Sequence, residues 1–200
     1  MQQIFRPYAN TIARLSVVLG GLMTVLLLYF VLALGASPYT YGVGSAVGVA
    51  VDQPVRFSHE LHGGQLNISC NYCHTSVDQA AYAGIPGTHT CMSCHSQIAT
   101  YSELLQPVRD SYENNIPLAW NPVHNLADHV YFNHSIHVTK GVACETCHGR
   151  VDQMPLVWQA ETMTMGWCLD CHRGPEKYLR PLSEVYTFGY EEPENQLEVG

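Results

Sequence analysis

A chain of 200 residues with a formal charge of −8 does not carry the basic surface that nucleic acid requires, so nucleic acid is excluded as a partner. Only 13% of the residues are charged, about half the usual share. The deficit has two sources, an apolar N-terminal run and a body whose chemistry is concentrated in 8 cysteines and 11 histidines.

Arg6 and Arg14 precede the run LSVVLGGLMTVLLLYFVLALGA, which extends from Leu15 to Ala36 with no charge in 22 residues. That length crosses a bilayer and exceeds the ~7–15 apolar residues of a cleaved secretory signal. A retained anchor is therefore expected, with residues 1–36 forming a cytoplasmic N-terminus and a single transmembrane helix. No arginine follows the span until Arg56, and this asymmetry predicts a body on the periplasmic face of a bacterial inner membrane. Residues 37–54, SPYTYGVGSAVGVAVDQP, are rich in Gly and Ser without an amphipathic period and read as a linker.

Residues 55–180 contain the pattern C-x-x-C-H four times: Cys70 to His74, Cys91 to His95, Cys144 to His148 and Cys168 to His172. On a helical turn, positions i, i+3 and i+4 share a face. One turn can therefore hold a porphyrin edge through two thioethers and present an imidazole to its iron, which is the attachment pattern of c-type haem. Two C-x-x-C pairs could instead bind zinc, but zinc needs no histidine after each pair. The four copies use all 8 cysteines, so four covalently attached haem c groups are expected, assembled outside the cytoplasm. Their attachment residues are Cys70, Cys73, Cys91, Cys94, Cys144, Cys147, Cys168 and Cys171. Haem is a large apolar element, so folding should be coupled to its attachment.

The region is duplicated. Phe57 and Phe132 are 75 positions apart, Cys70 and Cys144 are 74 apart, Cys91 and Cys168 are 77 apart, and VDQ recurs at 77–79 and 151–153. Each half, 57–95 and 132–172, reads F-[SN]-H-x-x-H, C-x-x-C-H, VDQ, C-x-x-C-H. The predicted fold is a mostly irregular and α-helical multihaem domain of duplicated two-haem units, with short helical turns at the attachment sites. Between the halves a helix is expected near Tyr101–Tyr112, kinked or ended early by Pro107. The tail, 181–200, carries Glu184, Glu191, Glu192, Glu194 and Glu198 and reads as a solvated or partly disordered end.

Each iron takes a fifth ligand from its own motif: His74, His95, His148 and His172. Four of the remaining histidines, His59, His62, His134 and His137, lie in the duplicated F-[SN]-H-x-x-H segments and close the tally of sixth ligands. Met165, with Met163 beside it, and His124, with His129 near it, are the reserve candidates, while His89 reads as a surface residue. The segments resemble those of small periplasmic tetrahaem cytochromes of sulfate reducers. That likeness implies His59 for the Cys70 haem and His134 for the Cys144 haem, leaving the partners of His62 and His137 open.

The run WNPVHNLADHVYFNHSIHVTKGVACETCHGRVDQM, followed by MGWCLDCHR, resembles the small multihaem cytochrome c subunit (ActA type) of alternative complex III. The likeness is dense over Trp120–Arg173 and looser over Arg56–His95. It implies an electron-transfer subunit of a bacterial membrane quinol oxidoreductase, beside iron–sulfur and integral-membrane subunits, that passes electrons to a periplasmic carrier or a terminal oxidase. Members of that family often carry five motifs, and this chain has four. A single-anchor quinol dehydrogenase of the NapC/NrfH type is the alternative, although it places its first motif almost directly after the span. A photosynthetic tetrahaem subunit would place a Met ahead of most motifs, and only the last motif here has one. No nucleophile paired with a base and no phosphate-binding loop are visible, so no catalytic residue is expected in this chain itself.

Overall fold

The computed structural model describes Arg6, residues 8–35 and residues 47–200. The rest of the expected cytoplasmic N-terminus, Ala36 and linker positions 37–46 lie outside the described residues. The chain forms two compact units, one containing the apolar N-terminal helix and one containing residues 47–200.

Helix α1 spans Ala9–Gly35, 27 residues, or about 40 Å at the α-helical rise. Its apolar stretch Ala9–Ala33 has a mean hydropathy of 2.5, and none of its most apolar window is buried. Leu15, Val18, Leu22, Val25 and Leu32 expose more than half their surface. An apolar surface on all sides, rather than one stripe, suits lipid better than a protein core. The helix is long and apolar enough to cross a membrane.

The second unit contains no strand among its described residues, only isolated bridges joining Val47 to Gln159, Ala50 to Trp158 and Val142 to Leu179. Its helices are short: α2 (Cys70–Cys73), α3 (Thr88–His95), α4 (Gln106–Asn114), α5 (His134–Thr139), α6 (Cys144–His148), α7 (Met165–Arg173) and α8 (Gln196–Val199). Each attachment motif thus occupies its own helical turn. Pro107 does not stop the inter-repeat helix. It sits in the first turn of α4, where a missing N–H costs nothing, and the helix ends at Asn115 with φ 53°. Val55, Val77, Val108, Ala143, Met154, Met163 and Val185 are the buried hydrophobic residues of this unit among those described. That is a small apolar core for so long a stretch of chain.

The halves are joined by exchange. The first histidine segment forms a π-helical turn, Glu60–Gln65, against the VDQ turn of the second half, Val151–Gln153. There the Glu60 N–H donates to Met154 O at 3.1 Å. Reciprocally, the second histidine segment on α5 meets the residues after the first VDQ, with Ser135 N–H donating to Ala80 O at 3.2 Å. Glu60 and Ser135 are equivalent in the repeat, as are Met154 and Ala80, so the two contacts are related by a pseudo-twofold axis. Gly64 lies at one crossing, where any Cβ would collide with the Asp152 carbonyl. The Cys70 and Cys144 side chains, also equivalent in the repeat, are hydrogen-bonded to each other and mark the axis.

The described end of the expected linker is held to this unit. Gly48 N–H donates to Gln159 O at 2.9 Å, and the Asn121 side chain donates to Asp52 O at 2.7 Å. The tail is only partly solvated. Val185 is 1% exposed and its carbonyl accepts the Cys144 N–H at 3.2 Å. The acidic residues of the tail do not prevent this, because Glu191, Glu192, Glu194 and Glu198 face solvent.

Candidate functional site

The F-[SN]-H-x-x-H segment works as one local unit, built the same way twice. Its polar second position caps the turn: Asn133 Oδ1 accepts Ser135 N–H at 3.0 Å, and Ser58 Oγ accepts Leu61 N–H at 3.1 Å. The carbonyl of the same residue fixes the second histidine, accepting Nδ1–H from His137 at 2.7 Å and from His62 at 2.8 Å. The aromatic residue then stacks on that ring, Phe132 on His137 at 4.5 Å and Phe57 on His62 at 4.4 Å, and meets the first histidine edge-on at 4.8 Å in both halves. These contacts leave the Nε2 lone pair of His62 and His137 free to ligate.

Each such ring faces a motif histidine. His62 lies 6.1 Å from His95, His137 lies 6.1 Å from His172, and His134 lies 6.4 Å from His148, centroid to centroid. Two imidazoles binding one metal from opposite sides at about 2.0–2.1 Å per nitrogen place their centroids about 6.3 Å apart. The rings are crossed at 66° and 72° in the first two pairs and nearly parallel, at 9°, in the third. His59 is an electrostatic neighbour of His74. The structure therefore brings His62 to the Cys91 motif and His137 to the Cys168 motif, the two partners that sequence leaves open.

The motif histidines are oriented from behind. His74 Nδ1–H donates to Gly84 O at 2.7 Å, His95 Nδ1–H to Ile98 O at 3.1 Å, and the facing His134 Nδ1–H to Ala81 O at 2.8 Å. A carbonyl can only accept, so each of these rings carries its proton on Nδ1. His148 instead has His124 Nε2 at 3.1 Å from its Nδ1. His124 thus stands behind a motif histidine, not across an iron position from one, and Met165 is 74% exposed. His59 Nδ1 is buried without a hydrogen-bond partner. Burial, followed by the neighbouring imidazoles His74, His62 and His124, lowers the His59 pKa to about 4. Burial likewise lowers His148 to about 3, with His124 next among its causes. Both rings are held neutral, the form that ligates.

Among the thiols, the hydrogen bond from Cys144 lowers Cys70 to about 7, while the same contact and then burial keep Cys144 protonated well above the ordinary thiol range. Burial raises Cys147 to about 12. Among the described residues, no three His, Cys, Asp or Glu side chains converge as a metal-ion site. The thiols are dispersed in pairs on separate turns, an arrangement suited to a porphyrin edge and not to one tetrahedral ion. Opposed imidazoles, paired thiols on the same turn as a histidine and a small polypeptide core all fit haem c.

Comparison with known proteins agrees. The family described as cytochrome c7 and related cytochrome c matches residues 130–192. A relative from Nitratidesulfovibrio vulgaris (strain Hildenborough), the menaquinone reductase multihaem cytochrome c subunit, is 28% identical over 142 residues, covering 60% of this chain and 68% of the relative. The body of this chain is a multihaem cytochrome c domain. The match to residue 192 takes in the first part of the tail, where Glu145 of the third motif is anchored. Arg180 donates to Glu145 Oε2 at 3.2 Å through both terminal nitrogens, and Gly189 N–H donates to the same oxygen at 3.0 Å. Sequence reading assigned no role to Glu145, Arg180 or the two phenylalanines. The repetition of Phe at one offset in both halves was the available signal for the latter.

Proposed function

We infer that the chain is a tetrahaem c-type subunit that relays electrons for a larger membrane quinone oxidoreductase, attached to it and to the bilayer through α1. The observation that carries this reading is the set of opposed imidazole pairs at 6.1–6.4 Å, each joining a motif histidine to a histidine of a duplicated segment. When bound, haem c supplies one-electron iron redox chemistry. Two imidazoles would hold the group at each site, His62 with His95, His134 with His148, His137 with His172 and His59 with His74, so these residues would hold and insulate it and leave no place for a substrate ligand. His59 and His62 lie in one turn, as do His134 and His137, so each segment ties two sites together. Tyr72 and Ser93 hydroxyls, 3.0 Å apart, join α2 to α3. The Cys70–Cys144 contact joins α2 to α6, and Cys147 has Cys171 and Cys168 as electrostatic neighbours. The attachment sites are thus successive neighbours in the order Cys91, Cys70, Cys144, Cys168.

Quinol oxidation within an alternative complex III, with electrons delivered to a periplasmic acceptor or oxidase, is the specific form the Trp120–Arg173 run supports. The relative's name, a menaquinone reductase subunit, supports the same quinone class. In either case the expected topology has the N-terminus inside and the haem domain outside. A single helix offers too little enclosure for a quinone pocket of its own. Menaquinol oxidation by the purified holosubunit in detergent, with pyridine haemochrome and intact mass for the haem count, tests the reading. We expect four haem masses, reduction by dithionite, and negligible turnover with menaquinol. Turnover matching that of native membranes would instead make this chain a self-sufficient quinol dehydrogenase of the NapC/NrfH kind.

A further inference from the structure

The two inner sites, at Cys70 and Cys144, are equivalent in the repeat, yet the hydrogen bonds behind their histidines differ. At the Cys70 site, His74 Nδ1–H has the Gly84 carbonyl as acceptor, while His59 Nδ1 is buried with no partner. At the Cys144 site, His134 Nδ1–H donates to the Ala81 carbonyl at 2.8 Å, and His148 Nδ1 faces the Nε2 of His124 at 3.1 Å, the rings meeting edge to face with 4.4 Å between centroids. His124 comes from the insertion between the halves and has no counterpart in the first half. Its backbone is held by Gln159, which is 2% exposed. The Gln159 Oε1 accepts the adjacent Asn125 N–H at 3.2 Å, and its Nε2 donates to Glu161 O at 2.8 Å.

A hydrogen bond accepted from the non-ligating nitrogen makes a histidine a more basic ligand and favours the oxidised metal. We propose that His124 is a positioning residue for His148, accepting its Nδ1–H and thereby holding the potential of the Cys144 site lower than it would be without that acceptor. The insertion so supplies, behind His148, the acceptor that the Gly84 carbonyl supplies behind His74. This rests on reading His134 and His148 as the two axial ligands of one haem.

The test is a redox titration of the full-length holoprotein in detergent at one fixed pH, followed by optical and EPR spectra, for wild type, His124→Leu and His124→Gln. Parallel imidazole planes lift the near-degeneracy of the iron dπ orbitals, so the 9° pair gives a rhombic low-spin signal and crossed pairs give a large-gmax one. In His124→Leu the equilibrium constant for reducing a rhombic site rises about tenfold, equivalent to about 59 mV for one electron, with the crossed-pair sites unmoved. Glutamine supplies a weaker oxygen acceptor and gives a smaller shift in the same direction, so either variant alone reads the effect should the other fail to accumulate. An unchanged potential with the rhombic signal intact overturns the role of His124. No rhombic signal in the wild type overturns the axial-pair reading itself.

Discussion

Removing His137 tests the assignment of ligand pairs where sequence is silent. Its ring lies 6.1 Å from His172 and is crossed with it at 72°, whereas the His134 ring three residues earlier is nearly parallel to His148. An iron midway between His137 and His172 would have each nitrogen at about 2.0 Å, within the ordinary range for imidazole. His137→Ala deletes one of these donors and leaves room for one small ligand, so one haem per chain becomes high-spin and binds carbon monoxide once reduced. Loss of the Phe132–His137 stack costs stability by about 0.5–1.5 kcal/mol, which the fold should tolerate. The assay is carbon monoxide titration of the dithionite-reduced holoprotein, paired with EPR of the oxidised form. One CO per chain, against none in wild type, is expected, with a crossed-pair signal lost and the rhombic signal kept. No CO binding would show that His137 is not a ligand, and loss of the rhombic signal would assign it to the wrong iron.

Two further outcomes follow from packing. Arg180→Met leaves Glu145 facing a polar contact without its main cation. The side chains are 9% and 18% exposed, and Arg150 remains 3.6 Å away. A loss of about 3 kcal/mol, the low end for breaking a buried pair, is expected in urea unfolding followed by Soret circular dichroism, and a loss under 1 kcal/mol would refute the pair's importance. Gly64→Ala forces a Cβ into the Asp152 carbonyl, backbone that cannot move aside cheaply. It should cost about 1–3 kcal/mol and raise amide exchange at Glu60, whose N–H crosses between the halves; unchanged protection there would argue against the exchange contact.

What sequence made legible was chemistry with obligatory spacing. A porphyrin edge needs two thiols and an imidazole on one turn, so the C-x-x-C-H patterns locate α2, α3, α6 and α7, and the multihaem fold with sparse helices is borne out. A helix long and apolar enough to cross a membrane needs only length and lack of charge, which the run from Leu15 displays and α1 bears out. Less visible were features set by tertiary approach. Whether His62 meets His95 or another motif histidine depends on how the π-helical turn Glu60–Gln65 rests on the opposite half. The burial of Val185 depends on a carbonyl reaching Cys144, although the flanking glutamates suggested solvent. Pro107 was ambiguous for a different reason, since proline ends a helix or begins one according to a register that only the preceding turn, Glu103–Leu105, decides.

The exchange between halves also constrains how such a domain can work. Because the histidine segment of each half rests on the VDQ turn of the other or on the residues just after it, neither half presents a complete surface alone, and the halves must assemble together. A strict twofold arrangement would make the two inner sites identical, and electrons on the row would have no preferred side of the axis. The insertion at residues 96–131 is one of two departures from that symmetry. It brings one imidazole, His124, behind one motif histidine, while the thiol contact on the axis and the Phe–His stacks on either side stay matched in both halves. The hydrogen-bond inventory breaks the symmetry in two places, behind the motif histidine, where His124 stands in for the Gly84 carbonyl, and behind the first segment histidine, where His134 has the Ala81 carbonyl and His59 Nδ1 has no partner, while the attachment motifs are alike.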